Sequence, residues 1–140
     1  MNNKSKLHRQ FHAKVLDFDK YLKTFNVDDK IIEVYNNNNI EHKIYLIKFK
    51  VLLLEDSVKR SFTIKYFFPL SQFKSFSGFM KEEIEGYANT IDNISKCLQE
   101  SKGTEKYGDR ITEVQNKWNE LFAITKELVV YIFNLKDTSQ

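Results

Sequence analysis

The sequence predicts an α+β fold made of an N-terminal helix, a three-stranded antiparallel meander and a long C-terminal antiparallel helical hairpin. Apolar residues recur every three or four positions towards both ends of the chain, and they alternate with polar residues in the middle. Strands and helices do not alternate along the chain, so nothing requires a parallel sheet. We therefore expect the order α-β-β-β-α-α in a single domain of 140 residues. Residues 1–70 would form the first helix and the meander, and residues 71–140 the hairpin.

The first predicted helix covers residues 4–25, because its apolar residues fall on one face. These are Leu7, Phe11, Val15, Phe18, Leu22 and Phe25. His8 and His12 are four residues apart in this segment, a spacing at which two imidazoles can share one side of a helix. No Glu completes an HExxH pattern, and no third ligand follows nearby in the sequence. We interpret both as surface residues, predict no metal, and rank a metal enzyme built on them as the weakest hypothesis.

Three strands are predicted next, at residues 31–35, 43–54 and 60–68. A run of four asparagines at 36–39 predicts the turn between the first two strands. In the second strand, alternate residues from Tyr45 to Leu53 are apolar, and the third strand repeats this pattern from Phe62 to Phe68. A turn at Asp56-Ser57 would pair these two strands with their apolar faces on the same side.

The last two helices are predicted at residues 71–101 and 110–135, joined by a short polar loop. Pro69 would end the third strand, while Ser71 and Asp109 would cap the two helices. In the final helix an apolar stripe alternates steps of three and four residues, which is a heptad seam. The stripe consists of Ile111, Val114, Trp118, Leu121, Thr125, Leu128, Ile132 and Leu135.

Catalytic motifs are missing from the sequence. The four glycines form neither a P-loop nor a dinucleotide-binding pattern, and there is no GxSxG nucleophile motif. Cys97 lies beside the apolar stripe of the first long helix, where a buried, inert thiol is expected. We therefore predict a non-enzymatic protein that needs no cofactor and has no small-molecule substrate.

The compartment predicted from the sequence is the cytoplasm. A single cysteine suits a reducing environment. No apolar run approaches the roughly 18 residues of a membrane-spanning helix, and the basic N-terminal stretch is not followed by a signal-type apolar segment. We accordingly expect no membrane partner.

Apolar residues at the end of the last helix also lie off the heptad seam. Burial of a core helix on more than one side is the simpler explanation of this pattern, and an interface with a partner is the functional hypothesis we favour. The predicted partner-binding residues are Phe122, Val129, Val130, Tyr131 and Phe133. They favour a small protein–protein interaction module, acting as an adaptor, inhibitor or complex subunit, whose partner is another protein or a second copy in a homo-oligomer. The bias towards Lys, Asn, Ile and Phe suggests A/T-rich coding DNA, and thus a phage or mobile element of a low-GC bacterium with a role in defence or anti-defence.

The alternative hypothesis is a nucleic-acid-binding protein that uses the basic face of the predicted sheet. In the register above Lys48 would lie opposite Lys65, with Lys50, Arg60 and Phe67 on the same face or at its edge. Like charges facing across two strands are destabilising, and an anionic partner would relieve that repulsion. A solvated face whose lysines discourage edge aggregation is the simpler explanation of the same pattern.

Overall fold

A computed structural model describes residues 3–25, 40–100 and 107–134 of the chain. Within these ranges the protein consists of four helices and contains no strand. The helices are α1 (Asn3–Lys23), α2 (Ile40–Phe67), α3 (Leu70–Glu100) and α4 (Arg110–Phe133). None of the described helices is both long and apolar enough to cross a membrane.

Side-chain contacts between helices show that consecutive helices run antiparallel around the bundle. Near the middle of α1, His12 contacts Glu55 of α2, while His8, one turn earlier, stacks on Phe62, which lies further along α2. Contacts between α2 and α3, between α3 and α4, and between α4 and α1 follow the same rule. The arrangement is an up-down-up-down four-helix bundle, in which α1 packs between α2 and α4.

The core is formed by heptad-like seams on all four helices, which supply the side chains that face the bundle axis. The seam predicted for the last helix is buried from Ile111 to Ile132, and Trp118 is fully enclosed. The stripe predicted for the first helix is also buried, apart from Leu7, which is partly exposed. The seam of α2 consists of Ile40, Ile44, Ile47, Val51, Leu54, Val58 and Phe62.

The predicted α+β fold is therefore wrong, because the second and third strands are one continuous helix, α2. Apolar residues are so dense from Tyr45 to Leu54 that they satisfy a period of two and a period of 3.6 at once. The β-branched and aromatic residues of the segment favoured the strand interpretation, but burial on the bundle axis outweighs this weak preference. The spacing that decides between them is Ile40 to Phe62, where buried residues follow the helical steps of three and four.

The turn predicted at Asp56-Ser57 is also wrong, since both residues lie in the middle of α2. Ser57 is buried and its hydroxyl donates to Glu83 of α3, while the Ser61 hydroxyl donates to the carbonyl of Ser57, 2.9 Å away. Serine can remain inside a helix when its hydroxyl finds partners in this way. The first predicted strand, at residues 31–35, and the turn at 36–39 lie outside the described residues.

A two-residue connection at Phe68-Pro69 joins α2 to α3. The carbonyl of Pro69 accepts hydrogen bonds from the amides of Gln72 and Phe73, each at 3.0 Å. Pro69 therefore occupies the N-cap position of α3, where its missing N–H costs no hydrogen bond within the helix. Ser71, predicted as the cap, lies inside the helix. Asp109 does occupy the N-cap position of α4, but its side chain makes no capping hydrogen bond.

Candidate functional site

A groove of about 610 Å³ runs between α3 and α4 on the outside of the bundle. It is lined by Lys81, Ile84, Glu85, Ala88 and Asn89 from α3, and by Phe122, Thr125, Lys126, Val129, Val130, Phe133 and Asn134 from α4 and its end. We call this feature the α3–α4 groove.

The floor of the α3–α4 groove is apolar and belongs to the core. Ile84, Ala88 and Val129 are buried there. Thr125 is also buried, and its hydroxyl donates to the carbonyl of Leu121 at 2.8 Å, within α4. Because this hydroxyl is already satisfied by its own helix, the floor favours contact with apolar groups.

Aromatic rings fix the two ends of the groove wall on α4. Phe122 stacks on Trp118, with the ring centroids 5.1 Å apart, and Phe133 stacks on Phe73 of α3 at 6.1 Å. Between these anchored rings Val130 leaves 67% of its surface exposed. The wall thus combines immobilised rings with an apolar side chain that solvent still reaches.

Charged and amide side chains form the rim of the groove. Lys81 and Glu85 lie on the α3 side, and Lys126 lies on the α4 side with its ammonium 4.2 Å from the centre of the Phe122 ring. All three side chains are exposed. A rim with two cations and one anion favours an apolar ligand that carries negative charge at its edges.

Four of the five predicted partner-binding residues line this groove, namely Phe122, Val129, Val130 and Phe133. Tyr131, the fifth, faces α2, where its ring lies 5.0 Å from the Lys65 ammonium and its hydroxyl lies 3.5 Å from that of Tyr66. Burial raises the pKa of the Tyr66 hydroxyl, and the contact with Tyr131 raises it further. Tyr131 therefore ties α4 to α2 and does not line the groove.

Lys65 of α2 caps the C-terminal end of α4. Its ammonium donates to the carbonyls of Tyr131 and Ile132, at 2.8 and 2.7 Å, and also lies 5.8 Å from the ring centre of Phe73. The last carbonyls of a helix lack intrahelical partners and carry partial negative charge, so a lysine is a favourable cap. This interaction holds the part of α4 that supplies Val130 and Phe133 to the groove.

The sheet face that would have gathered the residues predicted to bind nucleic acid is absent from the described chain, and these residues are spread along α2. Lys48 and Lys65 are 17 residues apart on α2, about 25 Å along the helix. Lys48 and Lys50 are both partly buried, and Arg60 pairs with Asp56 at 2.9 Å and Glu83 at 2.7 Å. Phe67, by contrast, leaves 83% of its surface exposed.

The remaining chemistry-bearing residues lie apart from the groove. His12 Nδ1 is 2.7 Å from Glu55 Oε2, whereas His8 stacks on the Phe62 ring at 4.4 Å. Among the described residues no group of three or more His, Cys, Asp or Glu side chains is placed to hold a metal ion. The prediction of a buried Cys97 is wrong, because the side chain is exposed on α3; Ser95 and Leu98 occupy the buried positions on either side of it.

Sequence reasoning missed the α3 side of the groove. Lys81, Glu85 and Asn89 are spaced by four residues along α3, beside its buried seam. The test applied to α4, a search for apolar residues off the seam, could not find them because all three are polar.

Comparison of the chain with family models, with curated proteins and with solved structures finds no match.

Proposed function

We propose that this protein is a non-enzymatic protein–protein interaction module whose α3–α4 groove binds a helical segment of another protein. The observation that carries the proposal is the coincidence of four off-seam apolar residues of α4 in one groove. Phe122, Val129, Val130 and Phe133 lie off the heptad seam, yet they line the same concave surface.

The shape of the groove favours an amphipathic helix as the bound segment. The groove follows two antiparallel helices, with an apolar floor and a charged rim. Helix-in-groove recognition uses apolar anchors spaced by three or four residues, which would enter the floor while polar residues stay at the rim. Acidic residues flanking those anchors would meet Lys81 and Lys126.

A small-molecule ligand is the less suitable occupant, although the volume falls within the range of ligand pockets. Such pockets orient their ligands through polar groups that converge inside the cavity. Here the charged groups Lys81, Glu85 and Lys126 lie exposed at the rim, and the buried hydroxyl of Thr125 already donates within its own helix.

The test is site-specific photo-crosslinking with benzoylphenylalanine placed at Val130 in the full chain in its native cells. The matched control places the same group at Leu16, an apolar residue of α1 with 55% exposure that lies outside the groove. We expect a partner protein to crosslink from position 130 and not from position 16. The crosslinked peptide should be an amphipathic helix of that partner.

A charge in the groove provides the second arm of the test. Val130→Glu, made in the chain without the crosslinker, should weaken binding of the identified partner peptide roughly tenfold or more, since the new carboxylate would be buried against apolar groups. Leu16→Glu should leave this binding unchanged, and both variants should keep the helical circular dichroism of the wild type. Equal crosslinking from both positions, or a crosslink only between two copies of this chain, would contradict the proposal.

A further inference from the structure

A second apolar surface lies at the connection between α2 and α3, independent of the groove. Phe67 is 83% exposed there, and Tyr66, Phe68 and Leu70 beside it are each at least 40% exposed. We call residues 66–70 the tip. Along α3 the apolar surface continues with Phe76 and Phe79, the latter 67% exposed.

The chain around the tip carries positive charge only. Residues 57–81 contain Lys59, Arg60, Lys65, Lys74 and Lys81, and no Asp or Glu. Lys65 is used to cap α4, and Arg60 is paired with two carboxylates. Lys59, Lys74 and Lys81 are exposed.

The N-terminal part of α1 adds basic residues at the same end of the bundle. His8 of α1 stacks on Phe62 of α2, one and a half turns before the tip. Lys6 and Arg9, next to His8 on α1, are both exposed. The apolar tip is therefore flanked by cations from three helices.

We propose that the tip binds the surface of an anionic membrane, with Phe67, Phe68 and Leu70 entering the headgroup region and the flanking lysines contacting lipid phosphates. Exposed aromatic and aliphatic side chains partition into this region, and each basic residue near it adds electrostatic attraction. The sequence-based expectation of no membrane partner concerned spanning segments, whereas binding at the surface requires none.

The dimensions of this end of the bundle suit shallow insertion. The tip contains the two-residue connection between antiparallel helices, at one end of the bundle. Phe79 is nine residues beyond Leu70 on α3, about 13 Å along the helix axis. Upright insertion to about 5–10 Å would bury the tip, and a tilted bundle would also bring Phe76 and Phe79 to the surface.

The exposure of several apolar side chains at one corner favours a membrane over a protein or a nucleic acid. Aromatic anchors dominate contacts between proteins when the partner encloses them in well-packed pockets, and here such a pocket would have to enclose Phe67, Phe68 and Leu70 together. Arginine is the residue best suited to bidentate phosphate contacts in nucleic acids. Near the tip Arg60 is held by Asp56 and Glu83, so the flanking cations are mostly lysines, with Arg9 of α1 as the exception. A fluid bilayer, by contrast, can close around exposed apolar groups.

The test is cosedimentation of the full chain with vesicles made of equal parts phosphatidylcholine and phosphatidylserine. We expect binding that weakens in high salt and is lost with vesicles of phosphatidylcholine alone. Neutralising Lys59 or Lys74 to Gln should weaken binding about fivefold for each lysine. Phe67→Ser should weaken vesicle binding roughly tenfold or more, because it removes the ring that would become buried in the membrane interface.

The matched control for the tip is Phe49→Ser, which removes a ring of 49% exposure about 27 Å away along α2. It should bind vesicles like the wild type, as should Val130→Glu in the groove. Phe67→Trp gives an independent readout, since its fluorescence should shift to the blue on vesicle binding while the enclosed Trp118 does not respond.

Three results would overturn the proposal. The first is equal binding to both kinds of vesicle, and the second is equal loss of binding in the Phe67 and Phe49 variants. The third is the absence of binding to either kind of vesicle. Self-association or oligonucleotide binding that depends on Phe67 would then assign the tip to a second copy or to a nucleic acid. Circular dichroism of each variant separates these results from a failure to fold.

Discussion

The two halves of α4 share one buried seam, but they differ in the polarity of the residues beside it. In the first half, residues 110–121, the flanking side chains are polar and reach neighbouring helices. Lys117 donates to Asp17 of α1 at 2.8 Å, and Gln115 accepts from Ser95 of α3 at 2.8 Å. The hydrogen bond to Asp17 raises the pKa of Lys117, although partial burial works against this. These side chains seal the bundle on both sides of the seam.

In the second half, residues 122–133, the flank that faces the α3–α4 groove is mainly apolar, with Lys126 at its rim. Phe122, Val130 and Phe133 have no side-chain donor or acceptor, so they cannot form the cross-helix hydrogen bonds seen earlier in the helix, and they line the α3–α4 groove instead. The comparison teaches that the seam determines packing in the bundle, whereas the residues beside the seam decide whether the outer surface is closed or offers a binding site.

The largest expected effect tests whether the first half is the stability centre of the bundle. Trp118 is fully buried, stacks on Phe122 and donates from Nε1 to Asp92 at 3.0 Å. Trp118→Ala should reduce the free energy of unfolding by about 3–5 kcal/mol, because it creates a cavity and leaves Asp92 without this donor. Denaturant unfolding at neutral pH measures the change.

Phe122→Ala is the matched variant for the second half. Its ring is only partly buried, so the loss of stability should be clearly smaller than for Trp118→Ala. It should also weaken partner binding at the groove. Equal destabilisation by the two variants would mean that the second half is as tightly packed as the first, and the contrast between the halves would fail.

A smaller effect is expected from Lys65, which holds the second half from α2. Lys65→Met keeps the aliphatic stem but removes the ammonium that caps the carbonyls of Tyr131 and Ile132. We expect a loss of about 1–2 kcal/mol and faster amide hydrogen exchange in the last turn of α4. Lys59→Met, at an exposed position on the same helix, should change stability by less than about 0.5 kcal/mol. Unchanged exchange in Lys65→Met would show that the cap does not hold this end.

The contrast within α4 also explains which parts of the structure could be predicted. Seams with polar residues between them, as in α1 and the first half of α4, allow only the helical period, and both segments are helices as expected. In α2 the apolar residues between seam positions, such as Tyr45, Phe49 and Leu53, also fit the alternation of a strand. Local pattern could not decide there, because the choice depends on burial against three other helices.

The same residues explain how much of the site could be predicted. Off-seam apolar residues identified the α4 wall of the groove through Phe122, Val130 and Phe133. Tyr131 is also an off-seam residue, but it lies on the flank that faces α2. The same criterion therefore selected a residue that does not line the groove. The tip was missed because a strand assignment placed Phe68 on the buried face of a sheet, while the helix exposes it at the corner.

The smallest expected effect sharpens the comparison through the pH dependence of the first half. Burial of the Asp92 carboxylate opposes its charge, but hydrogen bonds from Lys96 and Trp118 outweigh this, so the pKa of Asp92 lies below its ordinary value of 3.8. Because the folded state lowers this pKa, the carboxylate stabilises the fold fully above about pH 3.8 and progressively less as the pH falls through the folded-state pKa.

Asp92→Asn removes the charge but keeps an oxygen that can accept from Trp118. We expect the variant to be less stable than the wild type at neutral pH by about 1 kcal/mol or less, and the difference to shrink as the pH falls below 4. Lys96→Met made in the wild type should reduce the loss of stability that occurs below pH 4. The same substitution made in Asp92→Asn should have little further effect on the pH dependence of stability. A stability difference between wild type and Asp92→Asn that stays constant from neutral to acid pH would contradict this prediction. It would show that the charge of Asp92 contributes nothing to the stability of the first half of α4.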